Sequence, residues 1–237
     1  EKLPPELAAR VIDGGRQACM DAGIALAGGH SIDAPEPFFG LAVTGEVDMT
    51  NIKRNDTGQD GDVLFLTKPL GIGILSTAQK RGILPYAQAE LMRDTMVRLN
   101  DIGIQLGALP EVHALTDVTG FGLLGHLLEI CDGSGLAATL AYDDIPQLGP
   151  CKALITQGCY PDGALRNWKS YGHRVAGANS MERMFMLSDP ETSGGLLIAV
   201  APDLAPRLGQ MLQDAHLEHR IIGSLRPKDE GPVVQVD

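Results

Sequence analysis

Residues 115–126 read LTDVTGFGLLGH, and this stretch decides how the chain is organised around a candidate ligand site. The apolar run over residues 112–115 predicts a strand that leads into Asp117, and the leucines from Leu123 onward predict a helix. Glycine-rich turn amides and a helix N-terminus favour an anion such as phosphate, and a carboxylate can hold the magnesium that accompanies a nucleotide. The alternative is an ordinary strand–turn–helix junction in which Asp117 caps the turn.

A second glycine-rich segment lies near the start of the chain, where residues 28–35 read GGHSIDAP. Glycine at position 29 lets the backbone approach a ligand closely, and His30 and Ser31 supply hydrogen-bond donors. A tight turn with a surface histidine is the alternative. From these residues alone, the segment is a candidate binding loop.

Two further segments read LTKPLGIG (residues 66–73) and SDPETSGGLL (residues 188–197). Lys68 follows a predicted strand, but it lacks the spacing of a phosphate-binding P-loop, so a turn lysine is the simpler interpretation. The Ser-Gly-Gly segment is predicted to be a tight loop between strands, for which a structural role is at least as well founded as a ligand contact. His126 is expected to pack rather than to act in catalysis.

Composition narrows the classes of partner. The net charge of −11 argues against nucleic acid, which is bound through clustered Lys and Arg, but it permits ATP, which is held through metal and backbone amides. The four cysteines form no C-x-x-C pair, so neither zinc nor a disulfide framework is expected. No apolar run approaches the roughly 20 residues of a membrane span. A cytoplasmic protein is therefore expected.

Alternating helices and strands predict a mixed α/β fold. Near the N-terminus the pattern predicts a helix over residues 4–23 and strands over residues 24–27 and 38–44. Further along it predicts one long helix over residues 85–106, a loop over residues 158–179 and a strand over residues 184–187. The polar residues 48–61 are predicted to be a linker.

The four segments, in this order, closely resemble those of selenophosphate synthetase (selenide, water dikinase), a family in the superfamily of aminoimidazole ribonucleotide synthetase. The resemblance implies the tail of an N-terminal α/β domain that binds ATP and dimerises (residues 1–47). After the linker (residues 48–61) it implies a complete C-terminal mixed α/β domain (residues 62–237). The family's reactive Cys or selenocysteine and its Lys precede this part of the sequence. The chain is therefore expected to be a C-terminal portion without a catalytic residue of its own, inactive alone.

The resemblance implies a kinase-type transferase that makes selenophosphate from selenide, ATP and water and releases AMP and phosphate. It implies that Asp117 binds Mg²⁺ and that Gly29, His30 and Ser31 contact ATP from the other subunit of a homodimer. Two alternatives stay open. One is a sister ATP-dependent enzyme of the thiamine monophosphate kinase or hydrogenase maturation type, and the other is a non-catalytic dimerisation or binding module.

Overall fold

The computed structural model describes residues 3–237 and divides the chain into two compact units between Asp48 and Met49. The predicted bounds of the two domains and of the linker over residues 48–61 stay predictions. In the structure, Met49–Asn51 form a single 3₁₀ turn. Within the described residues, no helix is both long and apolar enough to cross a bilayer.

The first unit contains one helix, α1 (Pro5–Asp21), which confirms the predicted helix. Proline is well tolerated in the first helical turn, where its missing N–H has no partner in any case. Gly15 is buried because the ring of Phe39 packs against it: a Cβ added there would lie 2.7 Å from that ring. The turn after α1 ends with Gly23 at φ +70°, a conformation that favours glycine.

The predicted strands over residues 24–27 and 38–44 are wrong for the structure described, in which residues 24–48 contain no strand. A strand exists only where its backbone pairs with a neighbouring strand. The described part of this unit supplies no such neighbour, so the apolar alternation stays unpaired.

The second unit is built on a mixed sheet of seven strands, counted over the described residues, in the order β2-β5-β1-β6-β3-β7-β4. The strands are β1 (Val63–Leu66), β2 (Val112–Asp117), β3 (Leu136–Leu140), β4 (Val175–Ala176), β5 (Leu196–Val200), β6 (Ile221–Pro227) and β7 (Val234–Val236). Strands β2, β5, β1, β6 and β3 pair antiparallel in that order, and β7 is parallel to both β3 and β4. The α/β class is confirmed.

Helices cover both faces of this sheet. They are α2 (Ile72–Lys80), α3 (Tyr86–Val97), α4 (Ile102–Gly107), α5 (Gly122–Ser134), α6 (Cys151–Thr156), α7 (Asp162–Tyr171), α8 (Met181–Leu187) and α9 (Ala205–Asp214). Successive residues of a strand point to opposite faces, so Leu64 and Leu66 join one hydrophobic core while Phe65 joins the other. The larger core includes residues of α2, α3, α5, α6, α7 and α8, and the smaller core includes residues of α4 and α9.

The predicted single helix over residues 85–106 is wrong, because the chain leaves the helical conformation at Arg98 and forms two helices, α3 and α4. Met92 packs in the larger core, whereas Leu106 packs in the smaller one. Apolar residues from the two ends of the predicted helix therefore serve opposite faces of the sheet. The backbone at Arg98 is extended, and its carbonyl accepts a hydrogen bond from Lys68 Nζ at 2.6 Å.

The predictions over residues 158–179 and 184–187 are also wrong. The first region contains α7, whose half-buried face is formed by Leu165, Trp168 and Tyr171 at helical spacing. The second lies in α8, where the Ser180 hydroxyl accepts a hydrogen bond from the Arg183 amide as an N-cap. A short apolar run alone does not distinguish a strand from a buried helix. The Ser-Gly-Gly loop therefore joins a helix to a strand.

Candidate functional site

Asp117 is the last residue of β2 and lies opposite Leu196 of β5. Its side chain is exposed, and among residues 3–237 no side chain or backbone amide forms a hydrogen bond or ion pair with its carboxylate. A turn cap would accept a bond from a nearby backbone N–H. The carboxylate is thus held at a strand end with its oxygens available to a ligand.

The turn after Asp117 is fixed by backbone hydrogen bonds to the Ser-Gly-Gly segment. Val118 N–H donates to the Gly195 carbonyl at 2.8 Å, and Glu191 N–H donates to the Thr119 carbonyl at 3.0 Å. Gly122 adopts φ +69°, and a Cβ added there would lie 2.8 Å from the Ser188 carbonyl carbon. Only glycine satisfies both the conformation and the close approach.

His126 supports the same turn from the first turns of α5. It is buried, and its Nε2 accepts a hydrogen bond from Thr119 N–H at 3.0 Å. Because Nε2 is then the acceptor, the ring proton of the neutral imidazole resides on Nδ1, which lies 3.3 Å from Glu129 Oε2. His126 therefore packs and orients the turn, as the sequence indicates, and is not exposed to a substrate.

Asp189 and Glu191 are buried carboxylates that cap the N-terminus of α2. Glu191 accepts from the amides of Gly71 (2.8 Å) and Ile72 (3.1 Å), and Asp189 accepts from Ile74 N–H at 3.1 Å. Burial raises the pKa of Glu191 to about 7, and burial followed by the charge of Glu191 raises the pKa of Asp189 well above its usual range. Both oxygens of Glu191 and Oδ2 of Asp189 are thus committed to the helix and serve structure.

Lys68 is buried rather than a solvent-facing turn lysine. Its Nζ donates to the Arg98 carbonyl at 2.6 Å and to the Ser193 carbonyl at 2.8 Å, and burial lowers its pKa to about 8. Ser193 has φ +52°, so the lysine fixes a residue in a conformation that L-residues rarely adopt. The segments that contain Lys68 and Asp189, two of the four on which the family resemblance depends, thus support the end of β2 at Asp117.

Gly29, His30 and Ser31 lie in an exposed loop of the first unit. A Cβ added at Gly28 or Gly29 would meet no atom within 4 Å, so the described residues leave open space where a ligand could approach. These three residues belong to a different unit from Asp117, and their role in ATP binding stays a prediction.

Helix α7 carries two support residues that the sequence interpretation missed. Asn167 Nδ2 donates to the Gly120 carbonyl at 2.9 Å, and Tyr171 Oη donates to the Phe121 carbonyl at 2.7 Å. Burial raises the pKa of the Tyr171 phenol, which therefore stays protonated as a donor. The sequence signal that could have identified them is their spacing of four residues, which places both on one helix face. Pro161 and Asp162 mark the start of that helix.

The four cysteines lie in α1, α5 and α6 and in the segment between α6 and α7. All four are buried and free, and burial raises the pKa of Cys151 and raises that of Cys131 to about 12. A thiol is reactive chiefly as the thiolate, so Cys131 and Cys151 behave as small apolar groups. Over the described residues, no group of three or more His, Cys, Asp or Glu side chains is arranged to hold a metal. A metal at Asp117 would therefore take one carboxylate from this unit, which is a normal arrangement for magnesium bound with phosphate.

Two family models match the sequence. Residues 59–235 match the C-terminal domain of AIR synthase related proteins, and residues 1–47 match the N-terminal domain. A selenide, water dikinase of Aeromonas salmonicida (strain A449) is 52% identical over 234 residues, which are 99% of this chain and 68% of that protein.

Solved structures of other proteins share the fold of this chain. Thiamine-monophosphate kinase from Stenotrophomonas maltophilia K279a superposes with a TM-score of 0.58 at 22% identity, over 81% of this chain and 54% of that one. E. coli HypE superposes with a TM-score of 0.67 at 21% identity, over 100% of this chain and 66% of that one. At these identities the likeness concerns the fold alone.

Proposed function

This chain belongs to the selenide, water dikinase family, and we propose that it carries the Asp117 metal site and part of the ATP site of an enzyme that makes selenophosphate. The substrates are selenide, ATP and water, and the products are selenophosphate, AMP and phosphate. The observation that carries the proposal is the carboxylate of Asp117, which is exposed and without a partner among residues 3–237, at a strand end directly before a glycine turn. The overall likeness to the dikinase relative gives the reaction class.

Asp117 is the residue of this unit that would hold Mg²⁺. The fit rests on the donor set: a single exposed carboxylate to which no donor among the described residues bonds, which leaves the remaining metal positions to phosphate oxygens and water. When bound, the metal would neutralise charge on the phosphate groups of ATP. The carboxylate contributes a negative charge at the end of β2. Hydrogen bonds with His126 and Glu191 hold the turn that follows it.

The loop at Gly29, His30 and Ser31 is the proposed nucleotide contact. Glycine without neighbours permits close approach of the backbone, and the Ser31 hydroxyl and the His30 ring are donors for phosphate or sugar oxygens. We place this loop against ATP bound by the other subunit of a homodimer. The selenide substrate, Mg²⁺ as the metal and the homodimer all belong to the proposal.

The test uses the full-length enzyme that contains this sequence. It is incubated anaerobically with Mg²⁺, ATP and selenide, and phosphorus NMR follows selenophosphate, AMP and phosphate. We expect AMP to appear only when selenide is present and in step with selenophosphate. Formation of AMP without selenide, or phosphorylation of thiamine monophosphate in its place, would contradict the proposal.

A further inference from the structure

Three successive carbonyl groups of the glycine turn after Asp117 accept hydrogen bonds from residues outside the turn. The Thr119 carbonyl accepts from Glu191 N–H, the Gly120 carbonyl from Asn167, and the Phe121 carbonyl from Tyr171. In a trans peptide the carbonyl and the following N–H point in opposite directions. The N–H groups of Gly120 and Phe121 therefore point away from these donors, and within residues 3–237 neither donates a hydrogen bond.

Of these peptide groups, the one between Gly120 and Phe121 depends most on a side chain. Gly120 has no Cβ, and a Cβ added there would meet nothing within 4 Å, so packing does not fix its orientation. Glycine also removes the steric barrier that stops most residues from changing backbone conformation. The bond from Gly122 N–H to the Thr119 carbonyl at 3.0 Å closes the turn around this peptide, and the bond from Asn167 Nδ2 at 2.9 Å is the one made to the peptide's own carbonyl.

Asn167 is itself well anchored for this task. Its amide also donates to the Ser188 carbonyl at 3.1 Å, so both Nδ2 hydrogens are used. Ser188 is fully buried and directly precedes the Asp189 cap of α2. One turn further along α7, the Tyr171 ring lies against Gly125: a Cβ added at Gly125 would be 3.3 Å from it. The helix is thereby held close to the glycine turn.

We propose that Asn167 is a positioning residue that locks the Gly120–Phe121 peptide so that Phe121 N–H binds a phosphate oxygen of the metal-bound nucleotide. This inference rests on the proposed role of Asp117 and adds to it a backbone donor and the side chain that aims it. A hydrogen bond to a charged group contributes about 1.5–3 kcal/mol. Loss of the aimed amide is therefore expected to weaken nucleotide binding roughly 10- to 100-fold.

The decisive variant is Asn167→Asp in the full-length enzyme. It keeps the side-chain shape, removes both donors and faces two carbonyls with a carboxylate. Asn167→Ala removes the donors without that repulsion and serves if the aspartate variant does not fold. Asn167→Gln retains the NH₂ group and should recover part of the affinity. Lys169→Ala, exposed on the same helix, is the matched control.

Binding is measured without turnover, by calorimetry with Mg²⁺ and the β,γ-imido analogue of ATP. In parallel, ¹⁵N-phenylalanine labelling follows the Phe121 amide, which is one of only five phenylalanine amides in this chain. We expect the Phe121 resonance to shift on binding in the wild type and in Lys169→Ala. The shift should be lost in Asn167→Asp, together with the 10- to 100-fold loss of affinity.

An unchanged Phe121 resonance in nucleotide-bound wild type would overturn the inference, as would equal affinity of Asn167→Asp and wild type. Asp117→Asn separates this result from the proposed function. If Asp117→Asn weakens binding while Asn167→Asp does not, only the positioning role fails. If Asp117→Asn binds the magnesium nucleotide like the wild type, the proposed metal site fails.

Discussion

Val118 N–H donates a hydrogen bond to the Gly195 carbonyl at 2.8 Å, and this bond joins the strand end that carries Asp117 to the Ser-Gly-Gly segment. The neighbouring Gly194 is pressed against the same strand end, because a Cβ added there would collide with the Val118 carbonyl. The Ser-Gly-Gly segment therefore supports the turn that follows Asp117. Its glycine content follows from close approach of two backbones.

Gly194→Ala is expected to lower the free energy of unfolding by about 2 kcal/mol or more, because the added methyl group forces the backbone at Val118 to move. Urea unfolding of the full-length enzyme measures it. Gly209→Ala is the control: it lies within α9 with nothing within 4 Å of an added Cβ, and it should be neutral or stabilising. Equal stability of Gly194→Ala and wild type would refute this packing argument.

Glu191→Ala is expected to lower the free energy of unfolding by about 2–5 kcal/mol, since it leaves the buried amides of Gly71 and Ile72 without an acceptor. Chemical denaturation measures the loss, and Glu230→Ala, exposed near the C-terminus, is the control. A loss below about 1 kcal/mol would mean that water or another group satisfies these amides.

Lys68 gives a pH dependence with a definite sign. Its folded-state pKa is lowered to about 8 from 10.5, so between pH 8 and 10.5 the unfolded chain binds more protons than the folded one. Stability from this group therefore rises with pH across that window, by up to about 1.4 kcal/mol per pH unit. The neutral amine still donates to the carbonyls of Arg98 and Ser193.

Lys68→Met tests this dependence. We compare its free energy of unfolding with that of the wild type at several pH values, so that groups common to both proteins cancel. The advantage of the wild type should grow from pH 8 to 10. Lys80→Met, exposed at the end of α2, should show no such trend. A constant or shrinking difference would mean that Lys68 keeps its ordinary pKa in the folded protein.

Complementation tests the proposed contact between subunits. Ser31→Trp blocks the approach of its loop to ATP, and Asp117→Asn cripples the metal site. If the loop serves the other subunit, a mixed dimer contains one intact composite site and one doubly defective site. Statistical mixing gives about half mixed dimers, so co-expression should recover up to roughly a quarter of wild-type activity. Confirmed heterodimers as inactive as either parent would show that the loop serves its own subunit.

Local sequence pattern and chemistry predicted those elements that do not depend on residues distant in sequence. Strand β2, helix α5 and the carboxylate of Asp117 at a strand end follow from the local pattern, and the structure has them as expected. The division of the predicted helix over residues 85–106 into α3 and α4 could not be predicted in this way. The break at Arg98 is held by Lys68, a residue distant in sequence, and the two halves serve different cores.

The side chains that support the site could not be predicted from the sequence either. Asn167 and Tyr171 sit in a region interpreted as a loop, and their partners are backbone carbonyls of a turn that glycine leaves conformationally free. Glu191 lies in the segment predicted to be a tight loop, and the sequence does not indicate that it accepts from two amides of α2. These roles depend on which surfaces meet in three dimensions. Sequence periodicity reports which face is buried, not what it is buried against.

The proposed magnesium ligand is tested by the magnesium dependence of selenide-driven AMP formation in the full-length enzyme with Asp117→Asn. The amide keeps the shape of the carboxylate and loses its charge. We predict a rate loss of more than about 100-fold at limiting magnesium, beyond the loss expected when a group that merely supports a metal ligand is removed. Circular dichroism should remain that of the wild type, and Asp143→Asn, an exposed aspartate elsewhere in the same unit, should be fully active. Turnover of Asp117→Asn at the wild-type rate under limiting magnesium would contradict the account and leave Asp117 as an ordinary residue at the end of a strand.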